Sequence, residues 1–113
     1  MNKYRRGDIV LIDNPIRPDS YLQGGRRPWV IVQNDKGNFY SPTTIAVPLS
    51  TKIKKKLPTH AFIDYCGIDH PSIACCEQVR TFDVSSHWQY IGTLPPDQMR
   101  RIDRALSRAF FYR

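Results

Sequence analysis

The stretch Gln23-Gly24-Gly25-Arg26-Arg27-Pro28-Trp29-Val30-Ile31-Val32-Gln33 decides the fold class. From Trp29 to Gln33 it is a β-branched and aromatic run of strand length. Pro28 stands just before that run, where a missing ladder donor does least harm. Working outward, Asp8-Ile9-Val10-Leu11-Ile12-Asp13 is an earlier strand closed by Asn14-Pro15, and the turn-rich segment from Arg17 to Gly25 is a long loop. Asn34 to Asn38 reads as a turn, and Thr43 to Leu49 as a third strand with Pro48 marking an edge or bulge. After the basic loop Lys52-Ile53-Lys54-Lys55-Lys56, a fourth strand is expected over Thr59 to Asp64. Short extended pieces follow at Ser72 to Cys76, Glu77 to Thr81 and Gln89 to Thr93. No helical pattern separates these strands, so an antiparallel sheet or small barrel is predicted rather than a parallel α/β fold.

The end of the chain changes period. Met99, Ile102, Leu106, Ala109 and Phe110 recur at helical spacing and make one apolar stripe. Pro96 suits a first helical turn, and Asp97 sits where a carboxylate complements the helix dipole. Arg100, Arg104 and Arg108 fall four apart on another face and are expected to be ordinary solvated charge. The predicted fold is therefore mainly β with a C-terminal α-helix.

With 113 residues, one domain of ordinary size is expected. Hydrophobic residues at 41% and charged residues at 24% exclude a disordered tail or a collagen-like repeat. No run approaches the roughly 20 apolar residues of a membrane span, and the opening Met1 to Asp8 lacks a signal peptide's apolar core. A cytoplasmic protein with no membrane association is the expectation. Seventeen Lys and Arg against ten Asp and Glu leave a net charge of +7, which suits a polyanionic partner.

Familiar catalytic signatures are absent: there is no phosphate loop, no Gly-x-Gly-x-x-Gly, no His-Glu-x-x-His and no Gly-x-Ser-x-Gly. His60, His70 and His87 are well separated, and each alone reads as a structural or surface residue before it reads as a general base. Cys66, Cys75 and Cys76 are an odd set, which points to reduced thiols rather than a disulfide framework. Joining them with His70 in a zinc site is geometrically awkward, because neighbouring strand residues point to opposite faces. No metal or cofactor is expected. More informative is Gln23 to Pro28, where two glycines let backbone approach a ligand closely and two arginines carry planar donor forks. Arg27 is expected on an exposed loop whose end is held rigid by Pro28 and the strand beyond it.

Several segments occur together in order. They are Arg6-Gly7-Asp8, Gln23 to Pro28, Gln33-Asn34-Asp35, Ser41-Pro42-Thr43, Leu57-Pro58-Thr59-His60, Glu77-Gln78-Val79-Arg80-Thr81-Phe82-Asp83, and a closing helix from near Leu94. This series resembles the MazF/PemK (Kid-like) toxins of bacterial type II toxin–antitoxin systems over nearly the whole chain. The resemblance implies one toxin domain over residues 1–113, an SH3-like barrel with a C-terminal helix, and a homodimer. It also implies metal-independent, sequence-specific cleavage of single-stranded RNA to a 2′,3′-cyclic phosphate and a 5′-hydroxyl. A cognate antitoxin carrying an acidic, disordered segment is the implied partner. The family arginine of the Gly-Gly-x-Arg-Pro motif falls on Arg27, not Arg26, and the family threonine falls on Ser50, a departure that keeps the hydroxyl. The neighbouring Thr51 would point to the other face of its strand.

On those assignments Arg27 stabilises the charged phosphorane and Ser50 orients a phosphate oxygen. Glu77 has two readings, as base for the 2′-hydroxyl or as a salt-bridge partner of Arg80. Gln23, Gly24, Gly25, Arg26, Gln78 and Arg80 are the implied RNA-binding neighbours. Lys52, Lys54, Lys55 and Lys56 are candidate phosphate contacts, and Tyr21 a candidate stacking platform, as are Phe39 and Tyr40. Two other classes remain open at this level: a non-catalytic toxin that binds DNA gyrase, like the structurally similar CcdB, and a small RNA-binding barrel.

Overall fold

The computed structural model describes residues 3–52, 55–65 and 67–111. Its frame is the antiparallel pair β1 (Asp8–Asn14) and β2 (Gly25–Ile31), with Ile9 opposite Val30, Val10 opposite Trp29 and Asp13 opposite Arg26. β3 (Thr43–Ser50) pairs with the upper half of β2, where Trp29 faces Pro48 and Ile31 faces Ala46. The other edge of β3 is shared. Its first half pairs with β6 (Arg80–Asp83), and Leu49 and Ser50 pair with β5 (Ser72–Cys75), which in turn carries β4 (His60–Ile63). Pro48, which has no amide hydrogen, stands where that edge passes from β6 to β5. β7 (Gln89–Thr93) adds to β1 on the far side.

Alternation along these strands makes two cores. Ile9, Val30, Val47 and Leu49 point to one face, where Met99, Ile102 and Ala105 of α2 (Pro96–Phe110) cover them. Val10, Ile12, Trp29, Ile31 and Ala46 point to the other, against Tyr4, Phe82 and Trp88. Phe82 meets Trp29 edge-on with ring centroids 4.7 Å apart. The expected architecture of antiparallel strands and a C-terminal helix is present, with one refinement to the barrel. The seven-stranded sheet stays open, because α2 packs on β4 and its apolar stripe covers that face without β4 reaching β7. Among the described residues no helix is long and apolar enough to cross a membrane.

Two local readings are corrected. Asn34 to Asn38 is not a turn but the start of helix α1 (Asp35–Tyr40), because the Asn34 side chain accepts the Gly37 N–H at 2.8 Å and caps it. Glu77 to Thr81 is not one extended piece: Cys76–Gln78 is a 3-10 turn, and only Arg80 onward is strand. That turn carries Glu77 and Gln78 to the end where β2 begins and β3 finishes.

Cys75 and Cys76 are buried free thiols, and among the described residues no group of three or more His, Cys, Asp and Glu side chains gathers as for a metal. Cys66 lies outside the described residues. Burial pushes the Cys75 thiol up to about 11 and the Cys76 thiol up to about 12 from an ordinary 9.0. The unfolded chain loses these protons first as pH rises, so folding stability falls above pH 9 through this pair. Chemical denaturation at pH 8 and pH 10 checks this: Cys76→Ala is expected to lose less stability between the two pH values than the wild type does.

Candidate active site

Gly24 and Gly25 shape the entry to β2. A Cβ on Gly24 would stand 2.2 Å from the Ile16 side chain, and Gly25 adopts φ +72°, where other residues are strained. The two glycines fold the chain back so that the carbonyl of Gly24 lies over the side chain of Arg27. Arg27 is a strand residue and half-buried, not part of an exposed loop. Pairing with β1 continues through Pro28, opposite Leu11, and sets Arg27 opposite Ile12. The neighbouring pair Asp13 and Arg26 supports that extension with opposite charges across the ladder.

Three oxygens orient the Arg27 guanidinium. Nε donates to the Gly24 carbonyl at 2.8 Å, while Nη1 donates to Gln23 Oε1 at 2.8 Å and to the Leu49 carbonyl at 3.3 Å. Nη2 donates to no group among the described residues. Burial draws the guanidinium pKa below its ordinary value, and the nearby Cys75 opposes that shift. The group nonetheless stays cationic at any working pH. Gln23 is fastened in turn, because its backbone N–H donates to Gln78 Oε1 at 2.8 Å. The loop before β2 is thereby tied to the 3-10 turn.

Ser50, the last residue of β3, is 3% exposed. It directly follows Leu49, whose carbonyl accepts from Arg27 Nη1 at 3.3 Å. Its Oγ accepts the Lys52 N–H at 3.2 Å, which leaves the hydroxyl hydrogen free to donate elsewhere. Arg80 begins β6 opposite Ala46. It donates through Nη1 to Asn14 Oδ1 and lies 4.8 Å from the centre of the Phe82 ring. Hydrogen bonds thus tie Arg27 to Gln23, Gly24 and Leu49, beside Ser50, and Gln23 to Gln78, while Arg80 joins Asn14 at the end of β1.

The salt bridge between Glu77 and Arg80 is not formed. Glu77 accepts from His60 Nε2 at 3.1 Å through Oε2 and from Thr59 Oγ1 at 3.2 Å through Oε1. His60 is held from behind, where its Nδ1 accepts the Leu57 N–H at 3.0 Å, so the proton of the neutral ring belongs on Nε2. Arg80 instead has Asn14, on the opposite side of its own strand end. Cys75 shows how close the parts lie: Glu77 raises its thiol and Arg27 lowers it. His60, opposite Cys75 across β4 and β5, escaped the sequence reading because seventeen residues separate it from Glu77 and only strand pairing closes that gap. Asn14 escaped it because it reads as a strand terminator.

The remaining predicted contacts lie around this cluster. Arg26 is exposed, donates to Gln89 Oε1 on β7 at 3.3 Å, and lines a cleft with Asn14 and Arg80. Gly25 is exposed at the start of β2, and Lys52, Lys55 and Lys56 are exposed around the opening after β3. Lys54 lies outside the described residues. Tyr21 is 97% exposed on the loop before Gln23, while Phe39 and Tyr40 stand out on α1.

The fold is shared with known structures. The model of a family described as the PemK-like, MazF-like toxin of type II toxin–antitoxin systems matches residues 5–110. A mycobacterial endoribonuclease solved in complex with its cognate antitoxin superposes with a TM-score of 0.75 at 24% identity, covering 94% of this chain and 93% of that one. MazF from Deinococcus radiodurans gives a TM-score of 0.74 at 19% identity, over 92% of this chain and 93% of that one. The Mycobacterium tuberculosis toxin MazF-mt6 gives 0.68 at 22% identity, over 89% and 94%. Identities at this level show a common fold, and the family match is what carries membership. With that match running from the first residues before β1 to the end of α2, the chain belongs to the PemK-like, MazF-like toxin family of type II toxin–antitoxin systems.

Proposed function

We propose that this chain is the toxin of such a pair, a sequence-specific endoribonuclease that cleaves single-stranded RNA without a metal ion. The observation that carries the reading is the Arg27 guanidinium, oriented by three oxygens, one of them the Leu49 carbonyl next to Ser50. Membership of a toxin family and the likeness to a structure named as an endoribonuclease support it.

The chemistry follows from charge. The ribose 2′-hydroxyl gives up its proton and its oxygen bonds to the adjacent phosphorus. The bond from phosphorus to the 5′-oxygen breaks as that oxygen takes a proton from solvent water, leaving a 2′,3′-cyclic phosphate and a 5′-hydroxyl. Negative charge grows on the phosphoryl oxygens in between, and a cation already oriented needs no rearrangement to meet it. Arg27 fills that role, with Nη2 available to the phosphate. Ser50 donates its hydroxyl hydrogen to a second phosphate oxygen. Glu77 receives the 2′-hydroxyl proton, its carboxylate held in place by the hydrogen bonds from His60 and Thr59. Gln23, Gly24, Gly25, Gln78 and Arg80 line the strand's path on either side of the scissile phosphate. Arg26, Tyr21 and the lysines of the loop after Ser50 contact its flanks.

Two copies of the chain form the working unit in the cytoplasm, as the family resemblance implies. The partner is a cognate antitoxin whose acidic, disordered segment orders on binding and covers the basic opening. Relatives solved in complex with a cognate antitoxin support that partner.

Arg27→Ala is expected to lower the rate of RNA cleavage in EDTA at least 100-fold while leaving the thermal unfolding curve cooperative. Normal cleavage by that variant would remove Arg27 from the mechanism. Ser50→Ala should cost about tenfold or more in kcat, since a neutral donor contributes less than a charged one. Glu77→Gln separates base from scaffold: kcat falls by about 100-fold with KM unchanged if the carboxylate takes the proton, and stays near wild type if it only braces His60.

A further inference from the structure

A second basic opening lies between β4 and α2. It is a cleft of about 340 Å³ lined by Lys56, His60, Phe62, Arg101, Arg104 and Arg108, with no carboxylate in its wall. Arg101 is committed to the fold: Nη1 donates to the Phe62 carbonyl at 3.1 Å, and Asp64 and Asp97 lie 3.7 and 3.9 Å from its guanidinium. Arg104 is exposed and has no partner among the described residues, and Lys56 is likewise exposed. Arg108 makes one long contact, to the Pro58 carbonyl at 3.5 Å. Phe62 is 42% exposed on β4 and lines the same cleft as these cations.

The cleft adjoins the candidate active site through one residue. His60 lines it and at the same time donates to Glu77 at 3.1 Å. We propose that this cleft holds the flanking part of the single-stranded RNA, beyond the nucleotides at the scissile phosphate. The inference rests on the endoribonuclease reading above. Phosphates lie against Lys56, Arg104 and Arg108, and a base stacks on Phe62. Cations alone would suit any polyanion, but an exposed aromatic ring lining the same cleft makes the combination by which single strands are held without sequence preference. The arginines of α2, one turn apart, therefore do more than keep the protein soluble.

Fluorescence anisotropy with two fluorescein-labelled RNAs tests this. One probe has 30 nucleotides and the other six, both 2′-O-methylated so that neither is cut. The wild type is expected to bind the longer probe more tightly. Arg104→Ala/Arg108→Ala should weaken the longer probe about tenfold, reduce its log–log salt slope by about 1.4, and leave the six-nucleotide probe unchanged. Phe62→Ala should weaken the longer probe about fivefold or more with the salt slope intact. Equal affinity of wild type and double variant for the longer probe would overturn the proposal. So would an equal loss on both probes, which would assign these arginines to the cleavage site or the fold. Intact RNA affinity with lost binding of polyglutamate would assign the cleft to an acidic protein instead. A wild type that binds neither RNA refutes the endoribonuclease reading itself, an outcome distinct from all of these.

Discussion

The half-buried guanidinium of Arg27 is the constraint around which this end of the molecule is built. A cation drawn partly out of water must be compensated by oxygen acceptors, and three converge on it, two from the loop before β2 and one from β3. The Gly24 carbonyl reaches it only because two glycines turn the chain back; the Gln23 side chain reaches it from a loop that Gln78 ties down. The Leu49 carbonyl brings in β3, and with it Ser50. Sheet register, loop closure and the 3-10 turn are all consistent with one requirement, that this charge be held still and still face outward.

The same economy organises Glu77. A carboxylate on a short turn would swing freely, yet hydrogen bonds from Thr59 and from a buried imidazole fix both of its oxygens. The imidazole is in turn fixed by a backbone amide, which sets its tautomer. Arg80, released from Glu77, joins Asn14 and the Phe82 ring instead. Separate cross-strand pairings thus keep the Glu77 carboxylate and the Arg27 cation both near Cys75, where both fields are felt.

Much of this was legible in the residues. The β-branched run after Pro28, the apolar stripe in the last helix and the ordered motifs located the sheet, the helix and Arg27 with Ser50. What stayed hidden depends on contacts far apart in sequence. The hydrogen bond between His60 and Glu77 exists only because β4 pairs with β5, and the pairing of Arg80 with Asn14 only because the fold brings the start of β6 to the end of β1. Arg27 reads as a loop residue because proline usually interrupts pairing, whereas here β1 carries the ladder past it. The helix arginines read as solvated charge because periodicity says which face they share and nothing about the β4 strand they face. Part of the basic excess behind the net charge of +7 therefore lies at two openings joined at His60.

The central claim is that side chains of this chain alone turn the RNA's own 2′-hydroxyl on the neighbouring phosphate. Mass spectrometry of the fragments released from single-stranded RNA in EDTA tests it most directly, run beside the same RNA carrying one 2′-deoxynucleotide at the cleavage site. The account predicts 2′,3′-cyclic phosphate and 5′-hydroxyl ends from the first and no cleavage at that site in the second. Fragments with 5′-phosphate ends, or cleavage beside the deoxynucleotide, would contradict it.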